Sequence, residues 1–333
     1  MEISLIFFVL LVINFIFIIF LKKISNIINL FDYPDFRKKH KKPTALLGGV
    51  LLILSILNLI FFSFILENNI LIKFGLANAN YQLFFISLLI IFFIGFYDDK
   101  KGLTANLKLS VIAFLVFILL AIDKDLNISN LNFLFLEKSI SSSHFTIPFT
   151  VLCFVIFINA FNMFDGIDLQ APLYSFILLI ILIFKSQFYL FGIYLLLQIC
   201  FIIYLNYKKK IFLGDNGSLL LAFIFSYLII KSYNSQNNNF YADEIFLIML
   251  FPGLDMLRLT FFRLYNKKHP FKPDNEHIHH YLMKKFDLIK TNLLIQSSII
   301  IPLLFYYVTN LIIVSILFKI ILYLNLLYVS KKN

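Results

Sequence analysis

The sequence predicts an all-α, polytopic membrane protein of about eleven transmembrane helices, with the N-terminus outside and the C-terminus in the cytoplasm. Three observations predict it. Of 333 residues, 61% are hydrophobic and only 14% are charged, far from the balance of a soluble domain. Apolar runs of roughly 15–22 residues recur along the whole chain, the length a helix needs to cross a bilayer. Lys and Arg gather in alternate segments between the runs, as the positive-inside rule requires.

In order, the runs cover about 4–21, 46–66, 81–97, 104–122, 147–164, 171–184, 188–205, 218–231, 243–262, 293–309 and 311–329. Glu2 precedes the first run. No basic stretch comes before it and no small-residue cleavage site follows, so it does not read as a signal peptide. If the helices alternate in direction, segments 22–45, 98–103, 165–170, 206–217, 263–292 and 330–333 share one side. They carry 21 of the 29 Lys and Arg, against five on the other side. That bias assigns the first side to the cytoplasm, and it accounts for the net charge of +11 without nucleic acid. Cys153 and Cys200 lie inside apolar runs, with neither a disulfide framework nor zinc-type spacing. Residues 123–146 are polar and Ser-rich and suit a small hairpin; 232–242 read as a loop. No repeat and no soluble domain stand out, so residues 1–333 read as a single integral-membrane domain.

The unusual polar clusters fall on the presumed cytoplasmic side, in segments 22–45, 98–108, 159–170, 206–218 and 263–292. A transporter more often keeps its key charges near the membrane midplane. Acids gathered at one rim suit an enzyme that joins a soluble substrate to a lipid. The central cluster runs Asn159-Ala-Phe-Asn162-Met-Phe-Asp165-Gly166-Ile-Asp168. Its two amides, three apart, share a helix face, and its two carboxylates follow at the same spacing. Charges at a membrane helix end need water, a partner or a ligand. The cluster therefore reads either as a plain helix terminus or as a cup with acids for a cation and amides for a ligand.

Arg37 to Lys42, followed by Pro43-Thr44 and Gly48-Gly49, attracts anionic lipid head groups or lends cations and close-approaching backbone to a phosphate. Asp98 and Asp99 adjoin, and repelling acids stay ionised only near cations or water; Lys108 follows on the next helix and either snorkels or holds a phosphate. In Gly214-Asp215-Asn216-Gly217-Ser218, an acid between glycines opens a helix. That pattern suits a phosphate on backbone N–H groups, with Asp215 on a magnesium ion, or an ordinary helix cap. Last come Asp255-x-x-Arg258, Arg263, and Pro270-Phe271 through Asp274 to His277-Ile-His279-His280. Three imidazoles without Cys partners fit a pyrophosphate or sugar better than structural zinc.

Taken together, these pieces resemble glycosyl transferase family 4, the polyprenyl-phosphate N-acetylhexosamine-1-phosphate transferases. Within it they look most like the bacterial enzymes that use UDP-N-acetylglucosamine and undecaprenyl phosphate. The resemblance spans residues 43–280 in the family's order. It implies a transferase of the plasma membrane with a cytoplasmic active site, moving an N-acetylhexosamine-1-phosphate from a UDP-sugar to undecaprenyl phosphate with release of UMP. Such a step opens the synthesis of cell-envelope glycans such as O-antigen. It implies magnesium, with manganese as a substitute, held by Asp215 and Asn162. Asp98, Asp99 and Lys108 would serve the lipid phosphate and the transfer step. Asn159, Asp165, Gly166 and Asp168, with His277, His279 and His280, would face nucleotide and sugar. A homodimer is compatible with it. Two departures stand out: Leu169 follows Asp168 where the family usually has Gly, and Leu46 replaces a basic residue before the two glycines. The alternatives are phospho-N-acetylmuramoyl-pentapeptide transferase and, from another class, a transporter or flippase.

Overall fold

A computed structural model describes residues 2–34, 42–66, 70–76, 80–235, 240–270 and 274–331. The basic run Arg37 to Lys41, Phe271 and Lys272 lie outside the described residues. All eleven apolar runs form helices: α1 Glu2–Ile28, α2 Gly48–Ile65, then, after the short α3 Ile70–Lys73, α4 Tyr81–Lys101, α5 Ala105–Ile122, α6 Thr146–Phe164, α7 Gln170–Lys185, α8 Tyr189–Tyr207, α9 Gly214–Tyr233, α10 Ala242–Tyr265, and, after α11 Ile278–Lys285, α12 Leu288–Thr309 and α13 Ile312–Lys331. Ten of the eleven are long and apolar enough to cross a membrane. The exception is α7, whose 16 residues would rise about 24 Å, short of a hydrocarbon core of about 30 Å. The chain is an all-α, multi-pass membrane protein.

The described chain divides into two compact units. One comprises residues 1–104 and 178–228, the other 105–177 and 229–333. In the first, a small sheet ties distant segments together. β1 (Phe31–Asp32) pairs antiparallel with β2 (Thr44–Leu46), and β2 pairs parallel with β5 (Ile211–Phe212). The sheet therefore brings the entry to α2 beside the entry to α9. Polar groups within the helices of this unit find partners: Asn14 donates to Gln198 at 3.0 Å, and Asn58 to the Tyr194 hydroxyl at 2.9 Å, which donates in turn to the Ser55 carbonyl.

In the second unit the expected hairpin forms, β3 (Asn130–Phe133) against β4 (Lys138–Ser141). It is fastened to the helices at several points. The Tyr233 hydroxyl accepts from the Asn132 N–H and donates to the Asn130 carbonyl, while the Asp243 carboxylate accepts from the N–H groups of Leu134 and Phe135. Beside it, Lys231 and Asp123 form a buried ion pair at 3.0 Å. Deeper in, Pro252 inside α10 has no N–H for the Ile248 carbonyl. The Tyr174 hydroxyl donates to that carbonyl at 3.1 Å, and the buried Lys319 ammonium donates to the Leu247 carbonyl at 2.8 Å. A cation inside an apolar helix layer is tolerable only with such partners.

Candidate active site

In the first unit the chemistry-bearing segments converge on the start of α9. Gly214 has φ +74°, a conformation that glycine adopts without a Cβ clash, and the chain turns there from β5 into the helix. Asp99, near the end of α4, reaches the first turn. Its two carboxylate oxygens accept the backbone N–H groups of Asp215 and Asn216, each at 2.9 Å, and the Asn216 side-chain amide. An acid there is favoured by the unsatisfied N–H groups and by the helix dipole. The amides that could have cradled a phosphate are thus bonded to Asp99. Asn216 also donates to the Leu46 carbonyl at 3.1 Å, a contact made by backbone and so independent of the side chain at position 46.

Close backbone approach holds this arrangement. A Cβ on Gly49 would overlap the Asn216 amide and the Gly217 nitrogen, and one on Gly95 would lie 2.5 Å from the Asn216 Cα. The two adjacent acids of α4 have different partners. Asp98 accepts the Leu103 N–H at 2.6 Å and so closes the turn that ends the helix. Asp215, half-buried like Asp98 and Asp99, enters these contacts through its backbone.

In the second unit the central cluster ends α6 and meets the histidine loop. Asn159 donates to the sulfurs of Met256 at 3.2 Å and Met163 at 3.6 Å, which are weak acceptors. Asp165 stands at the C-cap of α6. Gly166 lies against the His279 ring, where any Cβ would run into the imidazole. The Asp168 carbonyl accepts from Asn292 of α12 at 3.0 Å. Leu169, at φ +71°, occupies the left-handed region. An L side chain in that conformation costs about 1–2 kcal/mol, and glycine avoids the cost. Leu169 is nonetheless buried, so its side chain offsets that strain by packing. Asn159, Asn162, Asp165, Asp168, Lys108 and His280 are all half-buried.

Asp255 is the hub of the histidine loop, a role not assigned to it from the sequence, although the Asp255-x-x-Arg258 spacing was the available signal. One of its oxygens, Oδ1, accepts from Arg258 Nη2 at 2.8 Å and the Tyr323 hydroxyl at 3.0 Å; Oδ2 faces His277 Nδ1 at 2.9 Å. Arg258 also donates to the Glu276 carbonyl, and Arg263 to the Asp274 carboxylate and the Pro270 carbonyl. Burial opposes ionisation of Asp274, but the Arg263 hydrogen bond and the Glu276 N–H outweigh it and hold its carboxyl below the usual range. His277 sits just before α11, and its ring stacks on that of His279, with centroids 5.1 Å apart. Burial, followed by the neighbouring His277 and His280, pushes the His279 imidazole well below its ordinary pKa, so it is neutral at pH 7. Asp255, His277 and His279 each present a ligand atom within 4.8 Å of the others, a group able to hold a metal ion.

Sequence comparison adds the family. The glycosyl transferase family 4 profile matches residues 81–233. An undecaprenyl-phosphate α-N-acetylglucosaminyl 1-phosphate transferase of Salmonella typhi is 27% identical over 286 residues, covering 81% of this chain and 73% of the relative. Proteins of the same name from Escherichia coli K12 and Thermotoga maritima are 27% and 29% identical over 282 and 270 residues; the alignments cover 81% and 80% of this chain, and 73% and 77% of the relatives. Residues 81–233 thus match glycosyl transferase family 4, in a chain that resembles those transferases along four fifths of its length.

Proposed function

We infer that this chain is a glycosyl-1-phosphate transferase that moves N-acetylglucosamine-1-phosphate from UDP-N-acetylglucosamine to undecaprenyl phosphate and releases UMP. One observation carries the reading: the family match takes in Asp98-Asp99, Asn159 to Asp168 and Gly214 to Gly217 in order. A lipid-phosphate oxygen attacks the β-phosphorus of the donor, a new P–O bond forms, and the bond to UMP breaks. Phosphoryl transfer asks the protein chiefly for positioning and charge stabilisation. The lipid phosphate, with a second pKa near 6, is already largely ionised at neutral pH, so no general base is required, and Asp98 acts indirectly, through the turn that it closes at Leu103. Lys108 pairs with that phosphate. Asp99 acts by holding the first turn of α9, and with it Asp215, in place.

Asp215 and Asn162 offer carboxylate and amide oxygens, the donors that hard cations take, and so fit magnesium or manganese. When bound, the ion neutralises charge on the diphosphate. Asn159, Asp165, Gly166 and Asp168 line the nucleotide and sugar, and the His277–His280 loop approaches the same part of the donor, with half-buried His280 foremost. The excess of Lys and Arg in the set of segments on the same predicted side as these residues supports a cytoplasmic reaction at the plasma membrane. The test is to incubate membranes carrying the protein with a panel of UDP-N-acetyl sugars and undecaprenyl phosphate. UMP release and a lipid-linked product are expected with UDP-N-acetylglucosamine. Turnover only with UDP-N-acetylmuramoyl-pentapeptide would point to the muramoyl transferase, and lipid or solute movement without UMP would point to a transporter.

A further inference from the structure

We propose that Asp255, His277 and His279 form a binding site for a nitrogen-preferring divalent transition cation of the zinc class, separate from any magnesium on Asp215. The proposal does not rest on the transferase reading. Three observations carry it, all within residues 105–177 and 229–333. First, the ligand atoms of the three side chains lie within 4.8 Å of one another. Tetrahedral coordination with ligand distances of about 2.0–2.1 Å has edges of roughly 3.3 Å, so the set closes when the near-parallel rings of His277 and His279 turn toward a common point. Asp255 Oδ2 and His277 Nδ1 already stand 2.9 Å apart. A cation between them would replace that contact, with His277 binding through Nδ1 and keeping its ring proton on Nε2.

Second, His279 is 1% exposed, and neither ring nitrogen has a hydrogen-bond partner among the described residues. A buried imidazole with two unmet nitrogens is expensive unless something bonds to it. Its neutral form has the free lone pair that a metal ligand needs. Third, the site has its supporting shell. Asp255 Oδ1 is fixed by Arg258 and Tyr323, which leaves Oδ2 facing the imidazoles, and Gly166 makes room for the His279 ring. Such outer contacts orient ligands and set metal affinity. Two imidazoles and one carboxylate are the donors of zinc sites with an open fourth position. Imidazole suits zinc, copper and nickel, whereas magnesium takes oxygen donors.

The test uses the full chain in detergent, purified on a tag without histidine, and dialysed against Co2+ or Zn2+ in excess Mg2+. One Co2+ per chain is expected, with the intense visible absorption of tetrahedral coordination, and one Cu2+ should show magnetic coupling to two imidazole nitrogens. Asp215→Ala should retain the ion. His279→Ala and His277→Asn should each weaken binding by at least about tenfold. Zinc should raise the unfolding temperature of the wild type and of Asp215→Ala, and raise that of the two histidine variants less. Absence of stoichiometric binding in the wild type, or a Cu2+ spectrum without imidazole nitrogen, would overturn the proposal, as would undiminished binding in a folded His279→Ala. The wild-type spectra decide the matter even if both variants misfold, and none of these readouts depends on UMP release.

Discussion

Asp215→Ala is expected to abolish transfer while leaving the protein folded and inserted. In the proposed reaction its carboxylate holds the ion that neutralises the diphosphate, an effect worth several kcal/mol at the transition state. A loss of about 4 kcal/mol lowers the rate on the order of a thousandfold. The fold should tolerate the change. The hydrogen bond from residue 215 to Asp99 comes from its backbone N–H, which alanine retains. The substitution also takes a negative charge away from Asp99, a neighbour with which Asp215 interacts, and like charges at that range repel. UMP release, measured beside the unfolding temperature in detergent, separates the two effects. Near-normal UMP release would remove Asp215 from the metal site; lost insertion would make its role structural.

The second large effect is expected at Gly49, and there the outcome reverses, with stability failing first. Any Cβ at this position meets the Asn216 side chain and the backbone of Asn216 and Gly217. Backbone cannot rotate away as a flexible side chain can, so α2 and the first turn of α9 must separate. Overpacking of this kind costs about 1–3 kcal/mol and occasionally more, with the upper end expected against backbone, and it breaks the contact that keeps Asn216 on the Leu46 carbonyl. Gly49→Ala should lower the apparent unfolding temperature by roughly 5–10 °C, and activity should fall in step with the folded fraction. An alanine variant with wild-type stability would show that the Gly49 contact is looser than described.

How far the sequence revealed this molecule depended on the range of the interactions involved. The apolar runs were legible because a membrane helix satisfies its backbone locally; all eleven are helices, ten of them within five residues of the expected bounds, while α1 runs seven residues past its expected end. Even the shortness of α7 was visible. The three-stranded sheet was not. Its strands are two or three residues long, and pairing Ala45 with Ile211 leaves no local period to read. The same holds for the site. The types and order of the clusters pointed to the family, but only coordinates show Asp99 capping α9, Gly166 receding for His279, or Asp255 gathering Arg258, Tyr323 and His277. At Leu169 the departure from glycine was plain, yet its meaning, a buried side chain on left-handed backbone, needed the φ angle.

The most direct measurement follows the donor's β-phosphorus. UDP-N-acetylglucosamine labelled with radiophosphorus at that atom is incubated with membranes and undecaprenyl phosphate, and the mixture is then partitioned between solvent and water. The expected result is label in the lipid phase, equimolar with the sugar, and unlabelled UMP in the water. Label left in the water as UDP, with sugar alone on the lipid, would contradict the transfer of a sugar phosphate.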